Sequence, residues 1–511
     1  MKRINKQFLF IMTVAGIAFL GCSKGYLNVN SDPNRVTDVN VTAELIFPAG
    51  QLEVANILSN SSFSFLNHWV GYTAQNGTFA PQQNEITYNI DFSFGDGLWQ
   101  NQYGILFDLH QSIVKGLATG DTALAGASMI LSAKIWQDLV DLYGDIPYHQ
   151  AFQPNVINTP AYDKGQDIYN DLEKKLDTAI TYMNFNPPSR FAPSDITNHG
   201  NTGLWILFAN TLKLRLLIRQ SEIPGFDPSG DIGKIIANGG VLGAGQSASV
   251  NPGFSNQAAK QSPYYGAFGF TPTGVQSSTA EDANAYIINI LLTNSDPRIS
   301  QYFYPAGFTP GGKFVGDVYG DLQSQIPVGA NSSYFGPGLI GPPSSSGDPT
   351  SGPGAAQDAW IIPSYESMFW WAEAVGRGWV PGNTDGAGAY AAALTENFVW
   401  LGVPSPTSAA AAYIAAFPYP NGSAEVNDKF LANQKYLANV AIDPIEAYGD
   451  IRRLNMLTDN SYISIAPGRL GPGTIPNRLL YAQSEYTSNS TNVLKEGTIN
   501  PFTSKVFWDT N

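Results

Sequence analysis

Cysteine occurs once in the 511 residues, at Cys22, so no disulfide can form within the chain. A zinc site built on several thiolates is excluded by the same count. Histidine is scarce: His68, His110, His149 and His199 show no helical His-x-x-x-His spacing. Charged residues make up only 13% of the chain, and acids outnumber bases 41 to 27, a formal net charge of -14. A nucleic-acid binder needs a basic footprint to meet phosphates, and this sequence has none. There is no Gly-x-Ser-x-Gly elbow, no EF-hand loop and no glycine-rich loop after a strand. Nucleophilic hydrolysis and phosphate-loop chemistry thereby lose their usual signatures. No cofactor is expected; calcium held by loop carbonyls and carboxylates stays open without a motif to support it.

Aromatic residues reach 12%, almost matching the charged ones, and Gly and Pro together number 85. The polar surface must lean on Asn, Gln, Ser and Thr, and the many turn formers imply long loops. Neutral polar groups among aromatic rings suit an uncharged, hydroxyl-rich ligand. They equally suit a secreted protein with aromatic core helices.

The N-terminus has a positive start at Lys2, Arg3 and Lys6, then an apolar stretch over 8–20. That stretch is too short to span a bilayer, which needs roughly 20 apolar residues, and it reads as a secretory signal. Gly21 and Cys22 follow at once. Diacylglyceryl modification of Cys22 explains both its position and its uniqueness, and buried lipid CH₂ groups contribute about 0.8 kcal/mol each to anchoring. Residues 1–21 are therefore read as a lipoprotein signal peptide. Residues 22–40 read as a lipidated extended tether, rich in Asn and containing the turn Asp32-Pro33-Asn34. Residues 41–511 read as one helical domain.

Helical periodicity dominates that domain. Leu131, Ile135, Leu139 and Leu142 repeat at helical spacing and end before Gly144 and Pro147. Ile168, Leu172, Leu176, Ile180 and Met183 form a second stripe, closed by Pro187 and Pro188. Leu204, Phe208 and Leu212 open a third, with Arg215 and Arg219 one turn apart. Trp99 and Tyr103 share a helix face, the spacing of core residues. The stretch from about 226 to 362 is irregular apart from a helix near 283–292. Helices return at 364–375, 390–401, 426–440 and 444–453. The class is all-α, with packed helix pairs as the scaffold under long aromatic-rich loops.

Several segments carry a resemblance. They are Ile135-Trp136-Gln137-Asp138-Leu139-Val140-Asp141-Leu142-Tyr143-Gly144-Asp145-Ile146-Pro147-Tyr148, Asp296-Pro297-Arg298, and Glu366-Ser367-Met368-Phe369-Trp370-Trp371-Ala372-Glu373-Ala374 with Arg377-Gly378. Gln434-Lys435-Tyr436-Leu437, Glu446-Ala447-Tyr448, Asp450-Ile451-Arg452-Arg453, Pro476-Asn477-Arg478-Leu479-Leu480-Tyr481 with Glu485, and Trp508-Asp509 complete the set. In this order, behind a lipoprotein signal, they resemble the SusD/RagB family of outer-membrane nutrient-binding lipoproteins, in its SusD-like branch. The resemblance implies four tetratricopeptide-like helix pairs with loop elaborations. It also implies a lipid-anchored protein of the outer membrane, facing the cell exterior and sitting as a lid on a SusC-like TonB-dependent transporter. Surface-exported relatives often carry acids just after the cysteine, whereas here Ser23-Lys24-Gly25 follows.

The expected function is capture of an oligo- or polysaccharide and its delivery to the transporter, with no catalytic role. Alternatives are binding of a peptide or other nutrient in the same system, a surface glycoside hydrolase, or a purely structural lipoprotein. The motif acids and arginines, Asp138, Asp141, Glu373, Arg377 and Asp450 among them, read as scaffold, since buried charges need partners. Ligand contacts are expected off the periodic helices, in three aromatic groups: Trp69, Tyr72, Asn76 and Phe79; Tyr264, Tyr265 and Phe268; and Tyr334 and Phe335 beside Asn331. A pyranose ring has an apolar C–H face that stacks on such rings, while neutral polar groups fix its hydroxyls.

Overall fold

A computed structural model describes residues 41–511, apart from 77–79, 81, 154–155, 186, 322–330, 343–352, 458 and 472. Cys22, the signal peptide and the tether lie outside the described residues. Ala43–Asn511 forms one compact unit. No described helix is long and apolar enough to cross a membrane.

The long helices are α1 (Ala43–Ser59), α3 (Asp96–Ala118), α4 (Thr122–Tyr143), α5 (Gly165–Met183) and α6 (Thr202–Arg219). Beyond the irregular middle come α8 (Ser364–Gly376), α9 (Gly386–Trp400), α10 (Pro406–Ala416), α11 (Ala424–Ala438) and α12 (Pro444–Leu454). Two short helices, α2 (Ser64–Trp69) and α7 (Pro263–Phe268), complete the set used below. α3 packs on α4, α5 on α6, α8 on α9 and α11 on α12, the four tetratricopeptide-like pairs. Short, capped links force the α3–α4 and α11–α12 reversals. Between α3 and α4 only Thr119, Gly120 and Asp121 intervene, and Asp121 accepts from the Leu124 N–H at 3.1 Å. Before α12, Asp443 accepts from the N–H groups of Ile445 and Glu446, and Pro444 occupies the first turn, where its missing N–H costs nothing.

Among the described residues, eight short strands form four antiparallel pairs: β1 (Thr73–Gln75) with β5 (Glu281–Ala283), β2 (Ile146–Pro147) with β3 (Tyr162–Asp163), β4 (Ala248–Val250) with β8 (Ala359–Ile362), and β6 (Phe303–Tyr304) with β7 (Tyr334–Phe335). The β1–β5 pair ties the irregular middle to the chain just after α2, while β4–β8 and β6–β7 close loops within that middle.

The signature charges lie in the core as a connected network. Arg215 of α6 donates to Glu446 at 2.5 Å and to Asp138 at 2.9 Å. Arg219, one turn on, donates to Asp141 at 3.0 Å and to Glu446 at 2.6 Å. Arg453 of α12 reaches Glu373 at 2.6 Å and Asp450 at 2.9 Å. Trp508 donates to Asp141 at 2.8 Å, which ties the C-terminus to α4. Each charge has a partner on another helix or on its own, so the network fixes how α4, α6, α8 and α12 meet. Asp450 takes its hydrogen bond from Arg453; Arg452 instead donates to the carbonyls of Tyr448, Asp141 and Asn477.

Candidate functional site

The neutral polar stretch before α2 builds one wall of a cavity. Asn60 caps the single turn Ser61–Phe63 by accepting from the Ser62 N–H at 2.7 Å. That turn presents Ser61 and Ser62, and the first residue of α2 presents Ser64, to a cavity of about 610 Å³. Phe65 and His68 of α2, three residues apart, face the same space. β1 brings Gln75 in, and its register places Gln75 opposite Glu281 of β5. Gln82, Asn84 and Glu85 come from the short helix Gln83–Ile86 and its cap. A turn closed by Asp91 then positions Ser93 and Phe94: the carboxylate accepts from the Ser93 N–H at 2.9 Å and the Phe94 N–H at 3.1 Å. Gly95 follows at φ +81°, a left-handed conformation that an L side chain resists, and α3 starts from it.

The cavity wall thus carries eight neutral polar side chains: five serines, two glutamines and one asparagine. Its rings are Phe65 and Phe94, edge to face at 5.3 Å. Phe94 is half-buried, backed on one side by the parallel Trp69 ring at 5.8 Å.

At the cavity floor His68 lies between two carboxylates. Its Nδ1 is 2.5 Å from Glu85 Oε1 and its Nε2 is 2.8 Å from Glu281 Oε2. Tyr319 stacks on the imidazole at 5.5 Å, and its hydroxyl donates to Glu85 at 3.3 Å. Burial opposes the imidazolium charge, but the Glu281 and Glu85 carboxylates outweigh it and push the His68 pKa up to about 10. Both ring nitrogens therefore donate, and the three residues form one unit with a net charge of -1. Next along β5, Asp282 turns away from Glu281, as alternation in a strand requires. Burial and the nearby Asp317 raise its carboxyl to about 9.

The residues expected to contact ligand sit differently. Trp69, Tyr72, Asn76, Tyr264, Tyr265, Phe268, Tyr334 and Phe335 are all at most 3% exposed, so none offers a free face to a sugar ring. Trp69, Tyr264, Tyr265 and Phe268 lie on short helices rather than loops, and Tyr334 and Phe335 on β7. Six-residue helices are too brief to show periodicity, which is why the sequence reads there as irregular. The second and third groups form one buried cluster: Tyr264 meets Phe268 at 5.0 Å and Phe335 at 6.0 Å, and Phe268 meets Phe335 at 4.8 Å. Their hydroxyls serve the backbone, Tyr264 donating to the Ala441 carbonyl and Tyr334 to that of Ser278. Tyr72 packs on Tyr436 at 4.7 Å and donates to its carbonyl. Asn76 donates to the Thr279 carbonyl. Asn331 is exposed and does not line the cavity, and Phe79 lies outside the described residues. Trp69 and Tyr334 nonetheless stand directly behind cavity residues Phe94 and Ser278. Trp69 of the first group thus lies one layer behind the cavity wall.

A cleft of about 360 Å³ between α3, α4 and α5 is lined largely by apolar side chains, among them Leu106, Ile113, Met129 and Trp136. Its polar lining consists of Ser132, Tyr148, Gln153 and Tyr182 with Lys175 and the imidazoles of His110 and His149, whereas the first cavity's polar side chains are mostly neutral amides and hydroxyls. Among the described residues, no cluster of three or more His, Cys, Asp or Glu is placed to hold a metal ion.

Residues 33–481 match the model of the SusD-like family described as starch-binding and associating with the outer membrane. A search of curated proteins finds no match. Among solved structures, a chitin-binding SusD homologue from Flavobacterium johnsoniae aligns with TM-score 0.73 at 22% identity, covering 92% of this chain and 99% of that one. A second structure, named as a chitin-binding protein, aligns with TM-score 0.70 at 23% identity over 91% of this chain and 100% of that one. A SusD/RagB family protein from Bacteroides thetaiotaomicron aligns with TM-score 0.71 at 18% identity, over 92% and 99%.

Proposed function

The chain belongs to the SusD-like family, and from that premise we propose that it is a glycan-capturing lipoprotein of the outer membrane whose ligand enters the 61–98 cavity. Family membership supports carbohydrate binding. The observation that carries the site is the cavity wall itself: eight neutral polar side chains around the partly buried Phe94 ring. A pyranose presents an apolar C–H face and a rim of hydroxyls, and this wall offers a partner for each.

Binding fits the floor better than hydrolysis does. A glycosidase holds two carboxyl groups about 5–9.5 Å apart with the scissile bond between them. Here Glu85 and Glu281 are bridged by the His68 ring, which fills the place a substrate would need. Lipidation at Cys22 would tether the domain to the membrane, and a SusC-like TonB-dependent transporter would receive the glycan. These two steps follow from the resemblance of the signature segments and the lipoprotein-type N-terminus.

Affinity electrophoresis tests the reading, using residues 23–511, which contain the whole compact unit. Gels containing starch, glycol chitin or another soluble polysaccharide should retard the protein in at least one case. Starch and chitin come first because the family description and two structural neighbours name them. Unretarded migration in every gel would remove glycan capture by this chain alone.

A further inference from the structure

We infer that the 61–98 cavity selects its glycan by charge: it takes neutral and amine-bearing sugars and rejects those carrying carboxylate or sulfate. The inference rests on the glycan-binding reading and adds the ligand's charge class to it.

The described residues lining the cavity include two carboxylates, Glu85 and Glu281, and neither a lysine nor an arginine. The one cation there, His68, has both N–H groups committed to those carboxylates, and its side chain is only 2% exposed. It has no donor left for a ligand anion. The carboxylates touch the cavity instead, with side chains 7% and 11% exposed. An ionised carboxylate only accepts hydrogen bonds. Its ligand partner must therefore donate, which hydroxyl, amide and ammonium groups do, and uronate and sulfate groups do not. The sign of the local charge is insensitive to the imidazole proton: the three floor residues sum to -1 with it and -2 without it. The total chain charge of -14 acts in the same direction at longer range.

The size of the effect follows from Coulomb's law. A ligand anion about 6 Å from one net negative charge, at an effective dielectric of about 20, binds on the order of 10- to 100-fold more weakly than its neutral counterpart. An ammonium group at the same place gains a factor of similar order.

The test uses one backbone in three charge states: glycol chitin, glycol chitosan and carboxymethyl chitin, with hydroxyethyl and carboxymethyl starch as a second pair. Dissociation constants are measured for residues 23–511 at about 10 mM and about 1 M salt, where the Debye length falls from about 30 Å to about 3 Å. At low salt the carboxymethyl forms should bind on the order of 10- to 100-fold more weakly than the neutral forms, and glycol chitosan more tightly. At high salt the gaps should narrow. Residues 23–511 lack Lys2, Arg3 and Lys6 and carry a formal charge of -17 (-14 minus 3), so Glu281→Gln changes the total charge by only one in seventeen, and a marked narrowing in that variant assigns the selection to the cavity. Glu85→Gln provides the same comparison should Glu281→Gln fold poorly. Equal affinity for neutral and carboxymethyl forms at low salt overturns the charge inference and leaves glycan binding standing. A gap unchanged in both variants also overturns it, assigning the discrimination to the overall charge. Binding of none of the five polymers overturns the glycan reading and this inference together.

Discussion

Raising the pH should unload the bond between His68 and its two glutamates, and the sign and size of the effect follow from the site. The ordinary histidine pKa is about 6.5. In the folded protein burial opposes the charge, yet Glu281 and Glu85 push the value up to about 10. A group whose folded pKa lies above its unfolded one stabilises the fold fully below the unfolded value. That stability is lost as pH rises toward the folded value. Between about pH 6.5 and 10 the loss is up to about 1.4 kcal/mol per pH unit, about 5 kcal/mol in all. For a domain of this size, unfolding entropy near 1 kcal/mol/K converts this to a fall of about 5 °C in Tm. Asp282 also contributes stability that is lost as pH rises through about 9, so the wild-type profile alone does not isolate His68. His68→Gln does. At pH 6.5 it should be less stable by about 3–5 kcal/mol, because two buried carboxylates lose their cation. By pH 10 its Tm should meet that of the wild type. A stability difference constant from pH 6.5 to 10 would refute the reasoning. So would ¹³C-histidine NMR in which none of the four histidines stays protonated above pH 8.

Three further outcomes follow from the scaffold and the N-terminus. Glu446→Gln breaks contacts with Arg215 and Arg219 in the core and should cost about 3–5 kcal/mol in chemical denaturation, with glycan retention intact in the cold. Trp69→Ala removes a fully buried ring and should lower stability by about 3–5 kcal/mol; a near-unchanged Tm would show that the ring is not core. Cys22→Ser should leave the protein in the soluble fraction, and continued recovery with membrane lipid would contradict lipidation.

The long helices were legible because their apolar stripes run over many turns. The stripe beginning at Leu131 belongs to α4, and that beginning at Ile168 to α5. α1 was not legible, since Pro48 inside it breaks the usual helix grammar. The scaffold role of Asp138, Asp141, Glu373 and Asp450 was legible because buried charges need partners; that Arg215, Arg219 and Arg453 are those partners was not, since most of the pairs join different helices. The floor of the candidate site was not. His68 and Glu281 are 213 residues apart, and only the β1–β5 pairing brings them together. The serines of the wall leave only a compositional trace in the sequence, the run Ser59-Asn60-Ser61-Ser62, beside far larger aromatic rings. Those rings are the most apolar groups nearby, and folding buries them behind the polar surface they support.

If the 61–98 cavity holds the glycan, Phe94 is its stacking platform. Isothermal titration of the retained glycan into wild type and Phe94→Ala, below the melting transition of both, tests it most directly. Loss of the stacking face should cost about 1–2 kcal/mol, a roughly 5- to 30-fold rise in Kd. An unchanged Kd in a folded Phe94→Ala protein would place the glycan outside this cavity.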